Sequence, residues 1–441
     1  MKSIILGLGL VLCANSLAST IAIIDSGTDL KHDDLAPKAW INSVEIPNNN
    51  RDEDRNGYQD DINGWNFAES NNEIIDYSYL GLLNDDIRKF FTIQEKSMIG
   101  TATPEEIQWT RDILKNEDFI ARINKYGNFM HGTHVAGIAA KRAENAKVLA
   151  VKLIPTEVKL PGQDKGLGLE LFKKGLILLA SQQAVLLEEI GFYVDGHKAD
   201  VANGSFGTGY PQAQGIVKML YSTIFRKDPT PEELHEFCVL FLETTVREST
   251  KMVEAAPGTL FVFAAGNDGL NNDKYPTSPT NIQADNVISV AATIGRSSIA
   301  PFSNFGKTMV DVAAPGVGIE SAVPGNNYLK VSGTSQAAPF VANIAARVKD
   351  MNPALSPKEV KALIMKTVDF KTYLKEKVLT QGLVNPGRAI KAGLLSRTMS
   401  IEEAAANSRL TVQDMPEEKS ILGPVQGSME LVLPLPSQFK L

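Results

Sequence analysis

The sequence predicts an α/β protein: a three-layer, mostly parallel, doubly wound sheet flanked by helices. Three observations lead there. Short apolar runs rich in Val, Ile and Phe recur along the chain, at TIAIID, KVLAVKLI, ADVAN, TLFVFAAGN, NVISVAAT and MVDVAAPG. Each is nearly continuous in apolar residues rather than alternating, which suits strands buried on both faces of a parallel sheet, and longer helical patterns separate them. Several runs end in polar or glycine residues, among them Asp25, Asn203 and Asn267. Ligands of open α/β sheets bind beyond the carboxyl ends of strands, so this pattern delivers three polar side chains to one sheet edge.

Taken in chain order, the first element is a leader. Lys2 precedes an apolar run from Ile4 to Leu12, and small residues end at Ala18. That order predicts a secretory signal peptide over residues 1–18 and a secreted or periplasmic protein. Bulky Leu12 disfavours a lipid anchor on Cys13. With Cys13 gone, Cys238 is the only cysteine left, so no intrachain disulfide is expected. The body of the chain is read as residues 19–395, with charged, helical insertions at about 69–127 and 208–257. In the second, Thr230 has the chemistry of an N-cap, with Pro231 at the first helical position and Glu233 completing a capping box. Residues 396–441 are richer in Pro, Ser and acidic residues and read as a loosely packed extension. The stretch GLILLASQQAVLLEEIG comes nearest to a membrane span, but paired glutamates interrupt it, and no stable membrane anchor is expected. Of 441 residues 43% are hydrophobic, enough for a sizeable core. The net charge of −7, with both signs spread along the chain, gives no electrostatic reason to expect nucleic acid as a partner. A monomer is expected.

The run NRDEDRNGYQDDINGWNF sets oxygen-bearing side chains at alternate positions. Asp52, Asp54 and Asn56 stand at positions one, three and five of a loop with Gly57 at six; Asp60 and Asp61 follow. Hard oxygen ligands at this spacing suit a structural calcium ion. Asn63 stands where a bidentate glutamate would be, and the competing reading is a polar turn held by side-chain hydrogen bonds.

The chemistry gathers in three places. In HGTHVAGIAA, Gly132 and Thr133 read as a helix start, with His131 at its mouth. His131 and His134 are three apart, but no accompanying glutamate supports a metal motif. In VSGTSQAAPFVANIAARV, Ser335 opens an apolar helix that tolerates Pro339 in its first turns. A lone serine there is a cap. An Asp at a strand end together with a His and a Ser at helix starts supplies the three parts of an activated nucleophile.

These segments resemble the subtilisin-like serine proteases, the subtilase family. IAIIDSGTDLKHDDL is similar to its aspartate motif, HGTHVAG to its histidine motif, FAAGNDG to its oxyanion asparagine motif and GTSQAAP to its serine motif. The order Asp, His, Ser is the subtilisin order. The resemblance implies that Ser335 attacks the scissile carbonyl, His131 moves the proton, Asp25 orients His131, and Asn267 donates to the oxyanion; no catalytic cofactor is implied. His134 would be the motif's structural histidine. Ser205, Phe206 and Gly207 would pair with a peptide or protein substrate's backbone and wall the primary specificity pocket. Ala264, Ala265 and Gly266 would form its other wall. Lys274 is read either as near the pocket floor or as solvent-facing. Gln336, Phe340 and Asn343 depart from the family's usual Met, His and Gly.

The expected function is that of a secreted serine endopeptidase. The alternatives are a catalytically silent, peptide-binding homologue and a calcium-dependent structural protein, and the latter leaves the three-part nucleophile unexplained. Relatives usually carry an N-terminal propeptide, for which the interval from Ala18 to Thr20 leaves no room. The expectation is folding without one, with an insertion or the tail limiting activity.

Overall fold

The computed structural model describes residues 18–156, 169–416, 433, 435 and 436. The predicted signal segment through residue 17 lies outside the described residues. The strands are β1 (Thr20–Asp25), β2 (Gly64–Asn66), β3 (Lys147–Lys152), β4 (Val201–Gly204), β5 (Leu260–Ala264), β6 (Val287–Ile294), β7 (Ser298–Ile299), β8 (Val312–Pro315), β9 (Ile319–Val323), β10 (Asn327–Val331), β11 (Asp369–Phe370) and β12 (Gly382–Leu383). The helices are α1 (Asp85–Met98), α2 (Pro104–Ile113), α3 (Glu117–Ala140), α4 (Leu169–Gly196), α5 (Tyr210–Phe225), α6 (Pro231–Glu254), α7 (Thr334–Met351), α8 (Pro357–Lys366), α9 (Pro386–Leu395) and α10 (Ile401–Thr411).

All six apolar runs singled out in the sequence are strands of one sheet, ordered β11-β12-β8-β6-β5-β4-β1-β3-β2, with β7 paired to β6. Every pairing along the sheet is parallel except β11 with β12 and β7 with β6. The continuous apolar pattern has a direct cause. Along β1, Ile21 and Ile23 enter the cluster shared with α3 and α7, while Ala22 and Ile24 enter the cluster shared with α4 and α6. Both faces are covered, so the four positions from Ile21 to Ile24 are all apolar. Each fully buried Ile contributes about 1.5–3 kcal/mol. The outcome is the three-layer α/β arrangement expected.

The chain leaves β1 for β3 on one side and later takes up β4 on the other. The carboxyl end of β1 is therefore the topological switch point, where an open α/β sheet forms its crevice. Asp25 is the last residue of β1.

Two expectations are corrected. His131 does not sit at a helix mouth. α3 starts at Glu117, with Asn116 accepting from the Phe119 amide as N-cap, and runs through His131 without a break. The last helix of the first insertion and the histidine helix are one element. Nor is the chain beyond residue 396 loose at first. α10 buries Ala404, Ala405 and Ser408 and packs on α9 and α8. α4 contains Phe172–Gly196, a span long and apolar enough by length and composition to cross a membrane. One of its faces packs against α5 and α6, with Phe172, Leu176 and Ala180 meeting Val217 and Phe241 in a shared core.

Candidate active site

The end of β1 and α3 bring Asp25 to His131, while α7 and the segment after β4 bring Ser335 to Ser205. Asp25 is fully buried, and its Oδ1 accepts from His131 Nδ1 at 2.7 Å and from the Ser26 amide at 2.7 Å. Glycine makes this approach possible. A Cβ on Gly132 would lie 2.3 Å from the Gly27 carbonyl oxygen and 3.1 Å from Asp25 Cβ, so any side chain there would push α3 off the end of β1. Ser26 fastens the same junction. Its hydroxyl donates to the Asn128 carbonyl and accepts from the Gly132 amide at 3.3 Å, two groups one helical turn apart. A side chain from the residue just after β1 is thus built into the α3 hydrogen-bond ladder beside His131. Nothing in the local sequence announces this role for Ser26.

Ser335 is the second residue of α7, after Gly333 at the N-cap, as the sequence predicts. It is 3% exposed and His131 8%. Ser335 Oγ donates to the Ser205 carbonyl at 3.4 Å, and Ser205 Oγ donates to the Ser335 carbonyl at 3.1 Å. Asn203 Nδ2 in turn donates to Ser205 Oγ at 2.9 Å. Asn203 therefore supports the site from within β4 rather than facing it.

Asn267 lies just beyond β5. Its Oδ1 accepts from the Thr334 amide and the Thr334 hydroxyl, both at 2.8 Å, and Thr334 Oγ1 accepts from the Gly266 amide at 3.1 Å. With the oxygen so held, the amide nitrogen is the end left to face the cleft. It donates to the carbonyl oxygen of Leu433, in the C-terminal tail, at 3.2 Å. The Gly207 amide donates to the carbonyl of Pro436 at 2.9 Å. Phe206 is buried. Ala264 and Ala265 are buried too, with their carbonyls taken by Thr280 and Asn272. Gly266, at φ +113°, packs so closely on Asn304 that a Cβ would fall 2.4 Å from Nδ2. Lys274 is exposed, which favours its solvent-facing reading.

His134 is fully buried, and burial pulls its pKa down to about 4 against the Leu329 carbonyl, which works the other way. As a neutral ring its Nε2 donates to Leu329 at 3.0 Å, and Nδ1 accepts from Gln336 at 3.4 Å. The two other departures from the family pattern also have partners. Asn343 Nδ2 donates to the Ala139 and Lys141 carbonyls at the end of α3, and Phe340 packs against the core cluster.

The acidic loop gathers differently from the sequence expectation. Glu45, Asp52 and Asp54 each offer a carboxylate oxygen within 4.8 Å of the others, a separation that oxygens around one calcium ion can have. Glu45 was not among the residues the spacing picked out. Asn56 is tied to Asp54 and Asp61, as its Nδ2 donates to both. Asp60 instead accepts from the Asn49 and Asn50 amides. Asp61 accepts from Tyr193 and Asn42 and lies 3.3 Å from His197. Asp60 and Asp61 thus fasten the loop rather than join the cluster.

A sequence profile described as the subtilase family matches residues 18–385. Alkaline elastase YaB from Bacillus sp. (strain YaB) is 40% identical over 120 residues, covering 27% of this chain and 29% of that protein. Subtilisin-like protease 1 of Plasmodium falciparum is 24% identical over 408 residues, 89% of this chain and 46% of that protein. Subtilisin BL of Lederbergia lenta is 30% identical over 259 residues, 58% of this chain and 72% of that protein. The matched stretches thus span less than half of the first two relatives. A crystal structure of a lanthipeptide protease aligns over 86% of this chain and 89% of its own, at 18% identity and a TM-score of 0.49.

Proposed function

The chain belongs to the subtilase family, and from that premise we propose that it is an exported serine endopeptidase working through Asp25, His131 and Ser335. One observation carries the reading: the buried 2.7 Å contact of Asp25 Oδ1 with His131 Nδ1. That contact fixes the proton on Nδ1 and leaves Nε2 as the acceptor. Ser335 Oγ turns from the Ser205 carbonyl toward Nε2, loses its proton there and bonds to the scissile carbonyl carbon. The oxyanion takes hydrogen bonds from Asn267 Nδ2 and the Ser335 amide. His131 then protonates the leaving amine, and a water deprotonated by the same ring hydrolyses the acyl-enzyme.

Peptide or protein chains are the substrates, paired through the backbone of Ser205–Gly207. Gly207's donation to a peptide carbonyl is the kind of main-chain bond such a substrate makes. Ala264, Ala265 and Gly266 back the same pocket. Glu45, Asp52 and Asp54, supported by Asn56, hold a structural calcium ion, which supplies no catalytic step. Export uses the segment through Ala18, and the protein is a monomer without a membrane anchor.

Labelling with a fluorophosphonate probe tests the assignment. With its cleft open the protein takes the label, and the same form carrying Ser335→Ala does not. A protein unlabelled at every pH and calcium concentration, with its cleft open, is the silent peptide-binding homologue instead.

A further inference from the structure

The groups that would receive a substrate are already in contact with this chain. Asn267 Nδ2 donates to the Leu433 carbonyl, and the Gly207 amide donates to the Pro436 carbonyl. Between them Leu435 is buried to 7% exposure, with its Cδ1 3.3 Å from where a Cβ on Gly207 would stand. The Leu433 side chain reaches α3, where its Cδ1 would lie 3.0 Å from a Cβ on Gly127. The segment is therefore gripped on both sides, by the substrate-pairing strand and by the helix that the first insertion feeds into His131. We infer that Leu433–Pro436 is an intramolecular ligand of the substrate cleft, lying in the direction opposite to a substrate, and that it keeps the peptidase closed.

The direction follows from the order of contacts and rests on the proposed peptidase assignment. A substrate places the residues before its scissile carbonyl along Ser205–Gly207 and then reaches Asn267. The tail meets Asn267 first, at residue 433, and Gly207 three residues later. A carbonyl thus sits at the oxyanion donor, while the chain after it runs back toward Gly207, away from the side on which His131 would protonate a leaving amine. The nitrogen that follows this carbonyl is also that of residue 434, a proline. Prolines at 434 and 436 favour an extended backbone and lower the entropy lost on binding. The tail is accordingly held and not cut. Being part of the same chain, it acts at an effective concentration on the order of millimolar, so weak contacts suffice.

The test uses the full chain with Leu433→Asp and Leu435→Asp together, alongside wild type. The variant should cleave short peptide substrates with kcat/KM raised at least about tenfold, and a synthetic peptide LVLPLPSQF should inhibit it competitively. Binding is read separately by calorimetry on Ser335→Ala chains. The peptide should bind the chain carrying the two Asp substitutions and not the chain with its native tail. Equal binding to both, or to neither at millimolar peptide, overturns the inference. So does cleavage of the Leu433–Pro434 bond in wild type, seen by mass spectrometry. If the peptide binds as expected but no form takes a fluorophosphonate, the tail contact stands and the peptidase assignment falls.

Discussion

Asn267 can stabilise an oxyanion only if its amide nitrogen, not its oxygen, faces the cleft. Two donors from Thr334 settle which end that is. Thr334→Val removes one of them and the acceptor for the Gly266 amide. A net hydrogen bond is worth about 1 kcal/mol, so kcat should fall about fivefold with KM little changed, and Thr334→Ser should restore it; steady-state kinetics on an opened cleft decide. Asn267→Ala should cost more. The scale measured for subtilisin's own oxyanion asparagine, about 10²–10³ in kcat, is carried over by likeness. His134 makes a second prediction. Its pKa is lowered to about 4 in the folded chain, chiefly by burial, and lies near 6.5 in an unfolded one. Between those values the unfolded state binds the extra proton, so stability is full above pH 6.5 and is lost as pH falls toward 4, by on the order of 3 kcal/mol. Urea unfolding across that range should flatten in His134→Gln. The motif residues were legible because their chemistry is local and ordered. Ser26, Thr334 and the partner roles of Gln336 and Asn343 were not, because each acts on a residue far away in sequence.

At the scale of elements, α3 carries the lesson. Gly132 was read as a helix start, since glycine and threonine favour such sites. The fold uses that glycine for close approach instead, with β1 resting where its side chain would be. Gly132→Ala should keep the fold yet shift His131 from Asp25, lowering kcat/KM by about 10²-fold, because displacements near 1 Å are that costly. A variant of undiminished activity would show that the contact is not tight. The second insertion was legible down to its cap: Thr230 Oγ1 accepts from the Glu233 amide and Glu233 reaches back to the Thr230 amide. The packing of α10 was not, for it depends on Arg388. That side chain is 2% exposed and donates to Asp369, Asp414 and the Thr367, Val368 and Val412 carbonyls. Removing one partner of a buried pair costs about 3–5 kcal/mol. Arg388→Ala should therefore lower unfolding stability by that order in urea titrations, far more than Arg409→Ala at the same surface.

For the molecule as a whole, the sheet was written plainly in the apolar runs, and its switch point at β1 explains why a site forms there. The acidic loop was half legible. Its spacing picked out Asp52 and Asp54, but the third carboxylate, Glu45, comes from an earlier turn that only the folded loop brings near. The loop also bears on distant parts, because Asp61 is fastened to Tyr193 and lies beside His197 at the end of α4. An ion held by Glu45, Asp52 and Asp54 would neutralise their mutual repulsion and tie the β2–β3 edge of the sheet to α4. Ligand binding to the folded state alone stabilises it by about 2.7 kcal/mol at a hundredfold excess over Kd. Calcium should therefore raise the melting temperature by a few degrees, and a chelator should reverse it. Glu45→Gln should abolish that response. Asp60→Asn should keep it while lowering the baseline, because Asp60 serves the Asn49 and Asn50 amides. A calcium shift that persists in Glu45→Gln but vanishes in Asp60→Asn would return the site to the five-residue set the spacing first suggested, and identical melting with and without calcium would leave the loop as a hydrogen-bonded turn.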